Sequence, residues 1–260
     1  MSKIILLGIL QGLTEFFPIS SSGHLVLLQN IFGVSEPQLL IDVMVHFGTL
    51  ISLVVFFRKD IIILIRTFIC FVIRPKQTAL DPKLRTVFGI ILASIPTFLM
   101  GYFLSDFFES LFASLRAVGA ALLITGFFLL LTKKAQEKKN KNFFHYLIIG
   151  VLQGTAIVPG FSRSGLTIGG ALLLGWNRNE ASRFSFLLSI PAIMGATLFQ
   201  LTKIDLVSQS WFNIIVGVIL AAVTGYLALR FVVSIVNKGK FYVFSFYCFL
   251  IGIIALLISL

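Results

Sequence analysis

The stretch Ile4-Ile-Leu-Leu-Gly-Ile-Leu-Gln11-Gly-Leu-Thr-Glu15-Phe-Phe-Pro18-Ile-Ser-Ser-Ser-Gly23-His24-Leu-Val-Leu-Leu-Gln-Asn-Ile-Phe-Gly33 decides the fold. It is apolar at both ends and broken in the middle by proline, three serines and glycine. Each half is too short to cross a bilayer core, which needs about 20 apolar residues in a helix. Non-helical backbone at membrane depth is tolerated only inside protein or against a water-filled cavity. The stretch therefore predicts a re-entrant helix–loop–helix hairpin. A second stretch, 144–175, has the same construction around Pro159-Gly-Phe-Ser-Arg163-Ser-Gly165.

The rest of the chain supports a membrane setting. Of its 260 residues 58% are hydrophobic and only 12% charged, against about a quarter charged in a soluble domain. Mean hydropathy is +1.02. Six further apolar stretches, at about 39–57, 87–105, 115–132, 184–202, 211–229 and 241–259, are long enough to span. The short apolar segment 60–73, which contains Arg66, predicts an interfacial helix. The fold class is all-α integral membrane, with six transmembrane helices plus two re-entrant hairpins. The N-terminal run resembles a signal peptide, but Gln11, Thr14 and Glu15 interrupt it and no small-residue cleavage site follows Pro18, so it reads as mature protein. Cys70 and Cys248 imply no disulfide framework.

A net charge of +11 raises the question of nucleic acid. The positions of the charges exclude that partner and point to the bilayer. With the N-terminus outside and each hairpin returning to its own side, the loops 58–85, 133–142, 176–183 and 230–240 fall inside. Together they carry 17 of the 21 Lys and Arg residues. That is a positive-inside pattern. The loop 106–114 falls outside. Gln11-Gly12 opens one hairpin as Gln153-Gly154 opens the other, and each hairpin is followed by three spans. An odd number of spans reverses the second copy, so 1–132 and 143–260 read as inverted repeats within a single membrane domain, 1–260.

Ionisable groups at membrane depth are costly and mark function. The hairpins hold Glu15, His24 and Arg163, with hydroxyls at Ser20, Ser21, Ser22, Ser162, Ser164 and Thr167. This set suits phosphoryl transfer. Arg163 offers a planar fork for phosphate oxygens. The second half-helix of each hairpin starts near Ser22-Gly23 or Ser164-Gly165, where free N–H groups favour an anion. Ser21, activated by His24 or Glu15, is a candidate nucleophile, and His24 is a candidate acid, base or direct nucleophile. Ser21 and His24 lie three residues apart, close to one helical turn, and pair plausibly. Ser20 and Ser22 read more readily as structural. His46 stands evenly between packing and function, Asp42 reads as a solvated helix-start residue, and His145 as non-catalytic.

These residues carry a resemblance. The segment from Gln11 through Glu15, Pro18 and Ser21 to His24 resembles the first signature of the bacterial undecaprenyl-pyrophosphate phosphatases of the bacitracin-resistance type. Pro159-Gly-Phe-Ser-Arg163-Ser-Gly-Leu-Thr167 resembles the second, and the likeness covers essentially the whole chain. It implies hydrolysis of a polyisoprenyl pyrophosphate lipid to the monophosphate, recycling the carrier for peptidoglycan synthesis. It implies a bacterial inner membrane, a site open to the outer face, and Mg²⁺ or Ca²⁺. By position, Glu15, Ser21, His24, Arg163, Ser162 and Thr167 match functional positions, the first four as the expected catalytic residues. Ser162 and Thr167, with Ser22, Gly23, Ser164 and Gly165 at the helix starts, make the expected substrate cradle. Gln11 stands where the motif often has a first Glu. It keeps a carbonyl ligand without the charge, leaving Glu15 the principal anionic metal ligand. A polyprenyl-phosphate flippase is the alternative, because broken helices meeting at the midplane are also a transporter architecture. A soluble phosphatase on an anchor is excluded by the absence of any loop beyond about 30 residues. Homodimerisation is left open.

Overall fold

The computed structural model describes residues 2–32, 39–112, 114–138, 142–202 and 211–259. Among these residues the regular structure is entirely helical, as the apolar periodicity requires. The first hairpin is α1 (Ser2–Phe16) and α2 (Ser21–Phe32), followed by α3 (Leu39–Phe56), α4 (Arg58–Ile73), the one-turn α5 (Pro75–Thr78), α6 (Pro82–Phe103), α7 (Ser105–Phe112) and α8 (Leu115–Leu131). The second hairpin is α9 (Phe143–Thr155) and α10 (Arg163–Leu173), followed by α11 (Arg178–Leu201), α12 (Trp211–Asn237) and α13 (Phe244–Ile258).

Helices α6, α8, α11, α12 and α13 are each long and apolar enough to cross a membrane, and α3 with α4 forms a sixth apolar segment bent by 76°. The six expected spans are thus present, with ends moved by capping. α6 begins at Pro82, where the Asp81 side chain accepts from the Lys83 N–H at 2.9 Å. α11 begins at Arg178 under an Asn177 cap. α12 runs on to Asn237, past the expected end near 229. The sharp turn between Phe56 and Arg58 gives α4 its own direction, and Arg183 of α11 holds Asp60 of α4 in an ion pair. Part of the loop expected at 106–114 is instead the short helix α7, because Phe108 finds a buried slot there. Both cysteines are free thiols.

Both apolar stretches singled out in the sequence fold as broken helix pairs, and their turns share one cap chemistry. Ser20 Oγ accepts from the Gly23 N–H at 3.1 Å, and Ser162 Oγ accepts from the Gly165 N–H at 3.1 Å. Each serine also pairs with the hydroxyl two residues on, Ser20 with Ser22 at 3.3 Å and Ser162 with Ser164 at 3.2 Å. The Gly160 N–H donates to Ser20 Oγ at 3.0 Å, which brings the two turns together. Ser20 itself has φ 67°, a region costing a non-glycine residue of order 1–3 kcal/mol. The three hydrogen bonds to its oxygen hold it there. Gly160, at φ 97°, meets the opposite turn without that penalty, and a Cβ on it would lie 2.4 Å from the Val118 carbonyl oxygen.

Packing of the spans follows the same correspondence. α1 packs on α12 as α9 packs on α6, while α3 packs on α11 and α8 on α13. Where α8 and α13 cross, a Cβ on Gly119 would lie 3.0 Å from the Gly252 oxygen, and a Cβ on Gly252 would lie 3.0 Å from the Gly119 oxygen.

Candidate active site

The site forms where the two hairpin turns meet. Glu15 ends α1 one residue before its last, Ser21 and Arg163 are the first residues of α2 and α10, and all three converge. Arg163 Nη2 donates to Glu15 Oε1 at 2.6 Å. Ser21 Oγ donates to Glu15 Oε2 at 2.7 Å, and Gln11 Nε2 donates to the same oxygen at 2.9 Å from one turn back on α1. The His46 Nε2 of α3 stands 3.7 Å from it. One carboxylate thus gathers groups from four helices. It is 9% exposed, and Arg163 is 14% exposed. At that depth the pair persists because each charge meets the other and both carboxylate oxygens find hydrogen-bond partners.

Two atoms beside this pair have none. Arg163 Nη1 and Gln11 Oε1 are buried without a hydrogen-bond partner. A buried unpaired donor or acceptor costs about 1–3 kcal/mol, so such atoms suit an incoming group. Arg163 Nη1 suits an anion. Gln11 Oε1, beside the Glu15 carboxylate, suits a hard cation. Among the described residues there is no cluster of three or more His, Cys, Asp or Glu. The protein therefore offers a cation Glu15 and the Gln11 carbonyl, and phosphate oxygens would complete the shell. The residues fit the divalent ion that the resemblance implies.

The helix starts add donors. The Gly23 and His24 N–H groups of α2 are taken by Ser20, and the Gly165 and Leu166 N–H groups of α10 by Ser162. The earlier N–H groups of each first turn, on Ser21 and Ser22 and on Arg163 and Ser164, lie ahead of these caps and remain for an anion. Ser162 and Ser164 are otherwise committed to structure. Their hydroxyls donate to the Phe17 carbonyl at 3.5 and 3.2 Å and so anchor α10 to the first turn. Thr167 donates to the Arg163 carbonyl at 2.8 Å and shares a hydrogen bond with Ser185 of α11. It supports the backbone of Arg163 and is fully buried.

His24 sits apart from this cluster. Its Nδ1 lies 2.7 Å from the Ser20 carbonyl and its Nε2 lies 2.7 Å from the Tyr247 hydroxyl of α13. The Ser21–His24 pairing suggested by their spacing is not among the hydrogen bonds of the described residues. Ser21 is partnered by Glu15, the other activator the sequence offered. The physical reason is the turn: Ser21 opens the helix and faces back across the break to Glu15, while the His24 ring folds back onto the carbonyl one turn earlier.

Two neighbours went unrecognised or underweighted in the sequence. His46 borders Glu15, with its Nδ1 held by the Asp42 carbonyl at 2.7 Å. Its even weighting between packing and function resolves toward the site by position. Asp42 is half-buried rather than fully solvated. Tyr247 lies in a span that carries no motif, and no sequence signal singled it out. His145 accepts from the Trp176 indole N–H at 3.1 Å, remote from Glu15.

Comparison with known proteins finds full-length relatives. The Undecaprenyl-diphosphatase of Halothermothrix orenii is 44% identical to this chain, covering 99% of it and 97% of the relative. That of Carboxydothermus hydrogenoformans is 42% identical, covering 99% and 97%. That of Alkaliphilus metalliredigens is 40% identical, covering 99% and 98%. Residues 4–254 match the family described as Bacitracin resistance protein BacA, a match that takes in both hairpin turns, five of the six apolar segments and most of α13, and the chain belongs to that family.

Proposed function

We propose that this membrane protein hydrolyses undecaprenyl pyrophosphate to undecaprenyl phosphate and phosphate. The single observation that carries the chemistry is the Glu15 carboxylate, hydrogen-bonded by a serine hydroxyl at 2.7 Å and by an arginine at 2.6 Å, at the junction of two helix N-termini. The full-length relatives named Undecaprenyl-diphosphatase supply the substrate. They do not favour the flippase alternative, and an anion cradle alone would not need a hydroxyl held against a carboxylate.

The terminal phosphate docks against Arg163 Nη1 and the free N–H groups of Ser21, Ser22, Arg163 and Ser164. Glyine-bearing first turns, at Gly23 and Gly165, leave room for its oxygens. Ser21 Oγ attacks the terminal phosphorus and passes its proton to Glu15 Oε2. The bridging P–O bond breaks and undecaprenyl phosphate leaves. A water then attacks the phosphoserine and gives its proton to His24, while the serine oxygen recovers its proton from Glu15. Glu15 and Arg163 cancel in charge, so the diphosphate arrives with little to balance it beyond the helix ends. Glu15 and the Gln11 carbonyl would hold a divalent cation, which would supply that charge and polarise the phosphate oxygens.

The halves 1–132 and 143–260 form an inverted repeat in this reading, supported by the shared cap chemistry and the reciprocal Gly119–Gly252 contact. The site opens to the outer face of the inner membrane, supported by the distribution of Lys and Arg over the loops. Single cysteines at positions 107 and 136 sit in described segments, 180 lies in the first turn of α11, and 206 lies outside the described residues. In intact cells of a strain without other accessible thiols, 107 and 206 label with an impermeant maleimide, and 136 and 180 label only after permeabilisation. The reverse pattern inverts the orientation.

The activity is tested by phosphate release from C55 pyrophosphate with purified protein in detergent. Release is expected, with loss on EDTA treatment and recovery on adding Mg²⁺ or Ca²⁺. Gln11→Glu should stay active and reach half-maximal rate at a lower cation concentration, because the added carboxylate strengthens the ligand set. Absence of release sinks the phosphatase reading. Full activity in EDTA removes the cation from it.

A further inference from the structure

The geometry points to Tyr247 as a positioning residue that holds Nε2 of the His24 ring, the reactive nitrogen, and secures the tautomer that the Ser20 carbonyl sets. This inference rests on the phosphatase reading and deepens it. A backbone carbonyl only accepts, so the 2.7 Å contact of His24 Nδ1 with the Ser20 oxygen places the ring proton on Nδ1. Nε2 then carries a lone pair, and the Tyr247 hydroxyl at 2.7 Å donates to it. Both nitrogens are engaged, and the ring is clamped as well. The two aromatic planes lie 10° apart with centroids at 5.6 Å.

The clamp joins distant parts of the chain. His24 is in the first hairpin and Tyr247 is 223 residues away, in the last span. The next residue on α13 reinforces the junction, as the Cys248 thiol donates to the Pro18 carbonyl at 3.3 Å. Phe244, one turn earlier, packs on Phe17 at 5.6 Å between centroids. α13 therefore braces the first turn from Pro18 to His24. Tyr247 remains 38% exposed as a residue, while its hydroxyl reaches inward to the buried His24 ring.

The consequence is a defined handover. In the resting state the phenol occupies the lone pair of Nε2. When phosphate and the attacking water enter, the Tyr247 hydroxyl donates to a phosphate oxygen or to the water instead. Nε2 is then free to take the proton of that water as its oxygen bonds to phosphorus and the P–Oγ bond of Ser21 breaks. Nothing is oxidised or reduced, and the proton ends on His24 until it is lost to solvent. Without the hydroxyl, Nε2 loses its hydrogen bond and the ring is held by the Ser20 carbonyl at Nδ1 alone.

Tyr247→Phe keeps the ring and removes only the hydroxyl. The chain has three histidines, so ¹⁵N-histidine labelling of the full protein in detergent gives three ring systems, with His24 identified by its loss in His24→Asn. The wild type should show His24 protonated at Nδ1 with a hydrogen-bonded Nε2. In Tyr247→Phe the Nε2 signal should move to the position of an unbonded acceptor or reveal mixed tautomers. With C55 pyrophosphate, kcat should fall at least tenfold while KM stays within threefold. A purely packing role would lower thermal stability without moving the ring signals in this way. Unchanged His24 signals, or kcat within threefold of wild type, overturn the inference. If Tyr247→Phe does not fold, the wild-type spectrum decides: a proton on Nε2 overturns it and a proton on Nδ1 with a bonded Nε2 supports it. A wild type that releases no phosphate removes the catalytic role and with it this inference. An active wild type with an indifferent Tyr247→Phe removes this inference alone.

Discussion

Arg163→Lys lowers kcat for C55 pyrophosphate by about 10²–10³-fold, comparable to the removal of one donor from a preorganised anion site, although the positive charge is retained. The structure gives one guanidinium two tasks. Nη2 is bound to Glu15 Oε1 at 2.6 Å, and Nη1 is buried with no hydrogen-bond partner among the described residues. A planar fork can hold the carboxylate with one nitrogen and a phosphate oxygen with the other. A lysine has a single nitrogen at the end of a flexible stem. If it stays with Glu15, the phosphate loses its donor. If it moves to the phosphate, a buried carboxylate loses its counter-charge. The effect is measured by steady-state phosphate release, with gel filtration and thermal unfolding as controls for folding. Near wild-type turnover in Arg163→Lys would show that one point charge suffices and would sink the fork assignment.

Ser21→Ala and Glu15→Gln each reduce kcat by three orders of magnitude or so, and the double variant is little worse than either single one. General base activation is worth about 10²–10⁴-fold, and residues acting as one unit lose their effect together. Ser21 Oγ donates directly to Glu15 Oε2 at 2.7 Å, so removing the hydroxyl removes the nucleophile and removing the charge removes its base. The two variants separate in stability. Ser21→Ala leaves the Glu15–Arg163 pair intact. Glu15→Gln leaves a buried guanidinium unpaired, at a cost of about 3–5 kcal/mol, and should unfold at a lower temperature. Acid-quenched turnover with mass spectrometry should find a phosphate on Ser21 in the wild type. A phosphate on His24 instead, or a Ser21→Ala enzyme within several-fold of wild type, would transfer the nucleophile role to His24. His24→Ala tests the second half of the reaction: its attack by water slows, so phosphoserine should accumulate.

Much of this molecule is legible in the chain, and particular residues explain where that ends. The break at Pro18–Gly23 and its counterpart at Pro159–Gly165 are local facts. A single proline does not stop a helix, since Pro96 and Pro191 lie inside α6 and α11, but proline clustered with serines and glycine breaks one, and a bilayer punishes unpaired backbone, so the hairpins follow without tertiary information. The spans follow from runs of apolar residues, though their ends do not. α11 starts at Arg178 and α12 ends at Asn237 because caps and protein contacts, not hydropathy, set termini. The cost of burying Glu15 and Arg163 makes them conspicuous by type alone. That they would meet is a tertiary outcome, produced by Ser20 Oγ joining the two turns through the Gly160 N–H.

Partnership is where the sequence misleads. Spacing along a helix puts Ser21 and His24 near one face, but spacing constrains only residues on the same helix. Ser21 opens α2 and reaches back across the break to Glu15, and His24 turns to a carbonyl and to a phenol 223 residues away. Tyr247 sits among Phe244, Phe246 and Cys248 in a span with nothing to set it apart, and His46 shares its helix with ordinary lipid-facing residues. The sequence by itself determined the membrane class, the two broken hairpins and the charged groups they carry, because desolvation acts on each residue wherever its neighbours are. Only the tertiary structure decided which groups share a proton or a counter-charge, because hydrogen bonds of 2.6–2.9 Å between separate helices depend on how those helices pack, and no periodicity along the chain encodes that.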